Sequence, residues 1–367
     1  MKKILVIVRW CVGILFIFSG LIKANDPLGL SYKIQEFFEV WGWHGLHDYT
    51  LSLAIILNIF EIVAGIAVII GWQMRIVNWL LLLLIIAFTF LTGYALLSGK
   101  IKTCGCFGDC IPLSAAQSFI KDLSLLCLIL ILFYFQKKMV SNISNLFAIS
   151  LLTIGLLGSV FFQVYVLKHL PLMDCLPYKT GNNIFQQMQT PKGAIADSFS
   201  LHFIYKKNGK EISFDQEHFP NDFDSSYLYV DRKDELVKPG NGLKAAITDF
   251  SVRTLSDVDT TAALFQSPKY ALILVKDFDD YNNWKNRVED ILSVAKINKL
   301  LVIIVTADVK SAKEKMTAIP ILKCDATVLK TAARATPTIF LMQGPTILEK
   351  YSYSDAASVI KFIKNWK

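Results

Sequence analysis

The sequence predicts a membrane-embedded α-helical bundle followed by an α/β domain. Three observations carry that prediction. Apolar residues make up 53% of the 367 residues, and the mean hydropathy is +0.44, with the excess in the first half. That half holds five apolar runs long enough to cross a bilayer, a crossing that takes roughly 17–25 residues. Beyond residue 266, strand-like and helix-like periodicities alternate, as in α/β folds.

The apolar runs cover residues 4–22, 51–70, 76–97, 115–135 and 147–167. Lys2 and Lys3 precede the first, but no small-x-small cleavage site follows it, so it reads as a retained helix rather than a signal peptide. Gly71 to Arg75 forms a tight turn, which makes the second and third spans antiparallel neighbours. Short connections among the first four spans predict a four-helix bundle, and a fifth span carries the chain back across. The expected organisation is therefore a four-helix membrane domain (residues 1–140), a fifth span (141–170), an outer linker with a β-rich segment (171–266) and an α/β domain (267–367).

The formal net charge is +8. Up to Leu170 there are 12 basic and 7 acidic residues, and beyond it 26 and 23. Neither part has a long basic run, so the charge suits a membrane protein and gives no case for nucleic-acid binding. Lysines and arginines are nearly balanced between the two sides of the spans. Lys2-Lys3 at the first span and Lys137-Lys138 in a short loop favour an N-terminus inside. The cysteine-bearing loop and the C-terminal domain then face the outer, oxidising side.

Several polar residues stand out within or beside the spans. Glu61 lies about 15 Å along the helix from Leu51, near mid-membrane, where a carboxylate is a functional candidate by default. Lys121 and Asp122 open the fourth span, and Lys121 either reaches Glu61 or turns outward. Residues 23–49 read as an outer interfacial segment, rich in Trp and Phe. His44 and His47 lie in it; two histidines in a Trp-rich turn do not make a ligand set, and no metal site is assigned.

Downstream, Pro171, Pro177 and Gly181 mark an exit linker containing Cys175. Residues 198–214 read as a hairpin turning at Asn208-Gly209. Residues 270–275 and 300–305 read as strands. Residues 281–295 read as a helix with Trp284, Val288, Ile291, Leu292 and Ala295 on one face. Two short helices follow at 312–318 and 327–335, then a strand pair at 338–342 and 347–351 and a closing helix at 356–366. A βαβ unit followed by a hairpin and a helix is thioredoxin-like order. The place where such a domain carries Cys-x-x-Cys is here Lys276 to Trp284, with no cysteine. Cys324, the domain's single cysteine, reads as buried.

Three of the seven cysteines fall within Cys104-Gly-Cys106-Phe-Gly-Asp-Cys110, in the loop between the third and fourth spans. Disulfide exchange needs a thiolate, a partner sulfur and access, and this loop supplies all three. A Cys104–Cys106 bond would close a very small ring. Cys106–Cys110 or Cys104–Cys110 is easier, and Cys175 is the fourth sulfur available on the same side. Redox exchange is the preferred reading; a structural disulfide and a three-thiolate metal site with Asp109 are the alternatives. Cys11 and Cys127 lie inside spans and read as small hydrophobes.

Phe18-Ser-Gly-Leu-Ile-Lys-Ala-Asn-Asp-Pro-Leu-Gly-Leu30, the mid-span Glu61, the loop Cys104 to Pro112 and the following Gln117-Ser-Phe and Lys121-Asp122 resemble the DoxX/MauE-type membrane proteins of bacterial envelopes. The resemblance covers roughly residues 1–140. It implies a four-helix module related in outline to quinone-linked disulfide-forming proteins such as DsbB and vitamin K epoxide reductase, which makes a quinone one candidate for a cofactor that the sequence leaves open. MauE itself is linked to maturation of a disulfide-rich methylamine dehydrogenase subunit. Those quinone-linked enzymes use Cys-x-x-Cys, whereas this chain has Cys-x-Cys-x3-Cys. Asp325 to Leu329 and Ala335-Thr-Pro337-Thr338 resemble thioredoxin, with Pro337 as its cis-proline at a client-binding face.

The expectation is thus a thiol–disulfide redox protein of the bacterial inner membrane, with lipid and an envelope client or redox partner around it. Its site comprises Cys104, Cys106, Cys110 and Cys175, with Glu61 handling a proton. The alternative is a non-enzymatic assembly protein whose loop disulfide is structural.

Overall fold

The computed structural model describes residues 2–101, 105, 107–139, 143–195, 198–215, 217–238 and 240–366. Cys104 and Cys106 lie outside the described residues. The first helix, α1 (Lys2–Asn25), runs three residues beyond the predicted span. Asp26 then caps a second helix, α2 (Pro27–Val40): its Oδ1 accepts from Gly29 N at 3.0 Å, and Pro27 stands in the first turn. The sequence reading took residues 23–49 for an interfacial segment. The Asp-Pro pair was the missed signal, a side-chain cap followed by a residue with preset helical φ.

A 3₁₀ turn (His44–Tyr49) leads into α3 (Thr50–Ile70), which ends at Gly71 with φ +73°. Then come α4 (Met74–Ser98), α5 (Ala115–Tyr134) and α6 (Asn145–His169). A capping box starts α5: Ser114 Oγ accepts from Gln117 N and Gln117 Oε1 from Ser114 N. Five helices among the described residues, α1 and α3 to α6, are long and apolar enough to cross a membrane.

Helix α3 is the hub of this bundle, packed against α1, α2, α4 and α6. Its contact with α1 is backbone to backbone. A Cβ added at Gly13 would come 2.8 Å from Gly65 O, and one at Gly65 2.7 Å from Gly13 O. Small residues allow this approach where lipid gives helices no hydrophobic reason to associate. Asn58 Nδ2 of α3 donates to Gln163 Oε1 of α6 at 3.0 Å, which ties the fifth span to the bundle.

The chain divides into two units: residues 1–181 together with 251–367, and Asn182–Phe250. The smaller unit begins with a single helical turn, α7 (Ile184–Gln187), and holds a three-stranded antiparallel sheet in the order β2-β1-β3. These strands are β1 (Ser198–Lys207), β2 (Lys210–Asp215) and β3 (Leu228–Lys238). Asn208 and Gly209, at φ +51° and +80°, make the predicted hairpin turn between β1 and β2. Tyr205, Phe214, Phe219 and Phe223 pack ring on ring at one end of it.

In the larger unit, after a turn of helix α8 (Thr261–Phe265), comes a five-stranded mixed sheet. Its elements in chain order are β4 (Tyr270–Val275), α9 (Tyr281–Ile297), β5 (Leu301–Thr306), α10 (Val309–Lys315) and β6 (Ile321–Lys323). They continue with α11 (Ala326–Ala332), β7 (Thr338–Gln343), β8 (Thr346–Ser352) and α12 (Ala356–Asn365). The order across the sheet is β6-β5-β4-β7-β8. β4, β5 and β6 run parallel, while β7 is antiparallel to both β4 and β8. Trp284, Val288, Ile291 and Ala295 of α9 are buried with Val359 and Ile363 of α12 in one core. Every residue of β4 is buried, as expected of a central strand covered on both faces. β6 is three residues long, too short to show a period in sequence. The Thr336–Pro337 peptide is cis, the isomer the sequence reading assigned to Pro337.

Candidate functional site

Cys110 and Cys175 form a disulfide with their Cα atoms 4.9 Å apart, inside the usual range. This replaces the within-loop pairings to Cys110 that the sequence reading thought easiest. The loop sulfur instead joins the fourth sulfur, on the segment leaving α6. Spacing along the chain favoured a local ring; the fold brings together residues 65 apart. Two contacts prepare the meeting. Asn25, at the end of α1, accepts from Met173 N at 3.1 Å and donates to Met173 O at 2.9 Å, which fixes the irregular segment that carries Cys175. Phe107 in the cysteine loop packs on Phe18 of α1, ring centroids 5.9 Å apart, and Lys121 Nζ lies 5.0 Å from its centroid.

Under Phe107 and Gly105 the bundle has a partly open cavity of about 90 Å³. One water needs roughly 10–15 Å³ by this measure, so the space suits a ring-sized group. Its walls are mostly apolar, from Phe16, Leu57, Ile85, Phe88 and Leu125. Two ion pairs interrupt them. Lys23 Nζ pairs with Glu61 Oε1, with side chains 3% and 1% exposed. Lys121 Nζ lies 2.7 Å from Asp122 Oδ1, and Thr92 Oγ1 lies 3.1 Å from Asp122 Oδ2. Glu61 Oε2 is buried with no hydrogen-bond partner among the described residues. A buried carboxylate oxygen left unpaired costs free energy and calls for an explanation.

The sequence offered Lys121 as the inward partner of Glu61 and counted Lys23 among the loop charges. The structure gives Lys23 to Glu61 and Lys121 to Asp122. The reason lies in helix α1, which continues to Asn25 and so keeps Lys23 inside the bundle.

The α/β domain sits directly on this end of the bundle. Arg334, 5% exposed, donates through Nε to Asp26 Oδ2 at 2.7 Å and through Nη2 to Asp109 Oδ2 at 2.8 Å. It also donates through Nη1 to Lys330 O. Burial works against its charge, but Asp26 and Asp109 outweigh burial and hold its pKa above the ordinary guanidinium value. Lys350 Nζ pairs with Asp174 Oδ2 at 2.8 Å. Burial lowers the Lys350 pKa despite that carboxylate.

Lys276, at the end of β4, donates to Tyr32 Oη of α2 at 3.2 Å. Lys330 and Arg334 approach the same ring at 5.5 and 5.4 Å from its centroid. Burial pushes Lys276 down to about 8 and Tyr32 up to about 12. His169 of α6 meets Asp355 at 2.8 Å, and Ser352 Oγ donates to Lys168 O.

Pro337, taken in sequence as a client-binding residue, is buried, and its carbonyl accepts from Tyr353 N at 3.1 Å. The neighbouring Arg334 and Lys276 are engaged with α2 and the cysteine loop. This face of the domain is therefore turned to the chain's own membrane module. Cys324 is buried, as expected. Cys11 and Cys127 lie on the outer helix surfaces, where their neighbours in a bilayer are lipid chains. The sequence reading missed Arg334 and Lys350.

A disulfide bridging two connections at one end of five spanning helices, with a mixed-sheet domain seated beside it, defines a multi-pass membrane protein with a disulfide-bearing face. Residues 1–135 match the family described as methylamine utilisation protein MauE, a similarity confined to the membrane bundle. Residues 199–239 match a domain of unknown function, DUF8463, which falls on the three-stranded sheet of the smaller unit. Comparison with curated proteins and with solved structures gave no match.

Proposed function

We propose that this protein is a thiol–disulfide redox protein of the bacterial inner membrane, in which a cysteine set at one face of the bundle exchanges a disulfide with an envelope client. Cys110 and Cys175 form one pair of that set, and Cys104 and Cys106 are its other members. The observation that carries the reading is the Cys110–Cys175 disulfide at the mouth of a bundle whose cavity holds Glu61. In an exchange, a client thiolate attacks one sulfur, the other leaves as thiolate, and a second attack releases oxidised client and the reduced pair. Two electrons and two protons arrive at the pair and must leave the protein to reset it.

The apolar cavity walls and the unpartnered Glu61 Oε2 fit the ring of a lipid-soluble quinone. Such a group, when bound, supplies a two-electron donor or acceptor from the membrane pool. Glu61 Oε2 gives or takes a proton at the cavity wall, Lys23 holds the opposite oxygen in place, and Phe107 covers the cavity from the loop side.

Lys23 is withdrawn into the bundle, which lowers the count of free lysines on the disulfide side and supports a reading with the N-terminus in the cytoplasm and the α/β domain in the periplasm. The parallel β4–β5–β6 and antiparallel β7–β8 order supports a thioredoxin-like domain, one that lacks Cys-x-x-Cys.

The test is thiol trapping in intact cells with a membrane-impermeant maleimide, with Cys104, Cys106, Cys110 and Cys175 read separately by peptide mapping. Labelling from outside that appears only after mild reduction is the expected result. Serine variants of these cysteines should then change the thiol state of envelope proteins; an unchanged state in all of them sinks the redox reading. A second reading, an assembly protein with a structural disulfide, draws on the buried contacts between the α/β domain and the bundle. It predicts that the same serine variants lose stability yet keep client binding.

A further inference from the structure

Each half of the disulfide is preceded by an aspartate, Asp109 before Cys110 and Asp174 before Cys175. Both aspartates are held by cations of the α/β domain. Arg334 takes Asp109, at 2.8 Å, and Lys350 takes Asp174, at 2.8 Å. The two cations are themselves 5% and 2% exposed at the side chain. Arg334 reaches its position from the segment between α11 and β7, and Lys350 from β8, the strand paired to β7, so neighbouring parts of one domain hold both halves at once. Arg334 is also anchored to the bundle through Asp26.

We propose that Arg334 and Lys350 are positioning residues for Cys110 and Cys175, so that the α/β domain sets the redox equilibrium of a disulfide to which it contributes no sulfur. The sign follows from geometry. The two loops carrying the sulfurs belong to different connections of the bundle, and after reduction only non-covalent contacts keep the thiols together. A clamp that grips the residue beside each sulfur raises the effective concentration of one thiol at the other and favours the bonded form. Each cation is neutralised by its aspartate, so its electrostatic help to a thiolate is small beside this positioning. By linkage, the bond holds the domain down by the same factor with which the domain favours the bond.

The inference holds whether the bond exchanges with a client or stays closed, and its test is separate from trapping in cells. Full-length protein in detergent is equilibrated with graded dithiothreitol ratios, quenched with alkylating reagent, and the Cys110–Cys175 bond quantified by peptide mapping. R334Q and K350M should each shift the equilibrium towards the dithiol by about tenfold, within the usual range of coupling between sites. R334K, which keeps the charge but cannot bridge two carboxylates as a fork, should fall between R334Q and the unmodified protein. D109N should shift it by about threefold, because Arg334 retains Asp26. That variant changes a half-exposed side chain, so it keeps the test alive if R334Q fails to fold. Folded D109N and K350M whose equilibria stay within twofold of the unmodified protein would overturn the proposal and leave the ion pairs as docking contacts. A shift in the opposite direction, towards the disulfide, would overturn it too, since the cations would then be stabilising thiolates.

Discussion

Two buried cations, Lys23 and Arg334, sit at opposite ends of a scale of satisfaction. Arg334 uses its guanidinium on two carboxylates and a carbonyl, and its site lies at the junction of two packed domains. Lys23 has one carboxylate oxygen, and the other oxygen of that carboxylate lines a cavity with no partner among the described residues. The first arrangement fixes a position. The second leaves a buried carboxylate oxygen unsatisfied inside a span, where such a group is expensive. The difference separates a cation whose partners are all supplied from a pair that keeps one polar atom unsatisfied among the described residues.

The strongest way to break this comparison is Glu61→Ala. It strands the Lys23 ammonium in the bundle, and loss of one member of a buried pair costs about 3–5 kcal/mol. The double variant K23M/E61M should recover most of that loss while abolishing thiol turnover. Unfolding of the detergent-solubilised protein measures the first effect, and client thiol state the second. Equal stability losses in the single and double variants would show that the pair is not the relevant unit.

Arg334→Met should come next, at about 2–3 kcal/mol, below the cost at Glu61 because Asp109 is 41% exposed and can turn to water. The loss should show as faster hydrogen exchange at α2 and the cysteine loop, with the α9–α12 core unaffected. Uniformly faster exchange across the whole sheet would instead make Arg334 a residue of the domain's own fold.

A subtler effect distinguishes the junction by pH. The Lys276 pKa is lowered to about 8 in the folded protein, against about 10.4 when unperturbed. Between those values the unfolded chain binds more protons, so stability rises with pH through that window. Tyr32 acts the other way, because its pKa of about 12 in the folded protein makes folding lose stability above about 10. A thermal melt series should therefore climb from pH 8 to about 10 and then flatten or fall, and K276M should reduce the climb to what the lowered Lys350 contributes. An unchanged climb in K276M would remove Lys276 as its source.

Asp355→Asn should have the smallest effect. The His169–Asp355 pair is 32% and 29% exposed, and pairs open to solvent contribute about 0–1 kcal/mol. A melting shift of several degrees would mean that this contact, and not Arg334, seats the domain.

Much of this layout could be read in the sequence. The spans were legible because hydropathy is a local property of a run of residues, and the βαβ order because its two periods are local too. The Asn208-Gly209 turn was legible for the same reason. The Lys23–Glu61 pair was not, because the partners stand 38 residues apart and Lys23 reads as the polar end of a span. The Cys110–Cys175 bond was not legible beyond Cys175 being a fourth sulfur on the same side, since spacing rewards nearby sulfurs and says nothing about which loops share an end of the bundle. Arg334 and Lys350 were invisible for a related reason. Their meaning lies in what the domain is packed against, and no pattern within residues 267–367 encodes that.

The Cys110–Cys175 bond also closes the chain on itself around α5 and α6. These two spans therefore form a covalent hairpin fastened at its open end, with the connection between Tyr134 and Asn145 at the other. A single cut in that connection would leave one molecule rather than two. The halves would migrate together without reductant and separate with it, so a protease site engineered there would turn the redox state of one bond into a difference in mass.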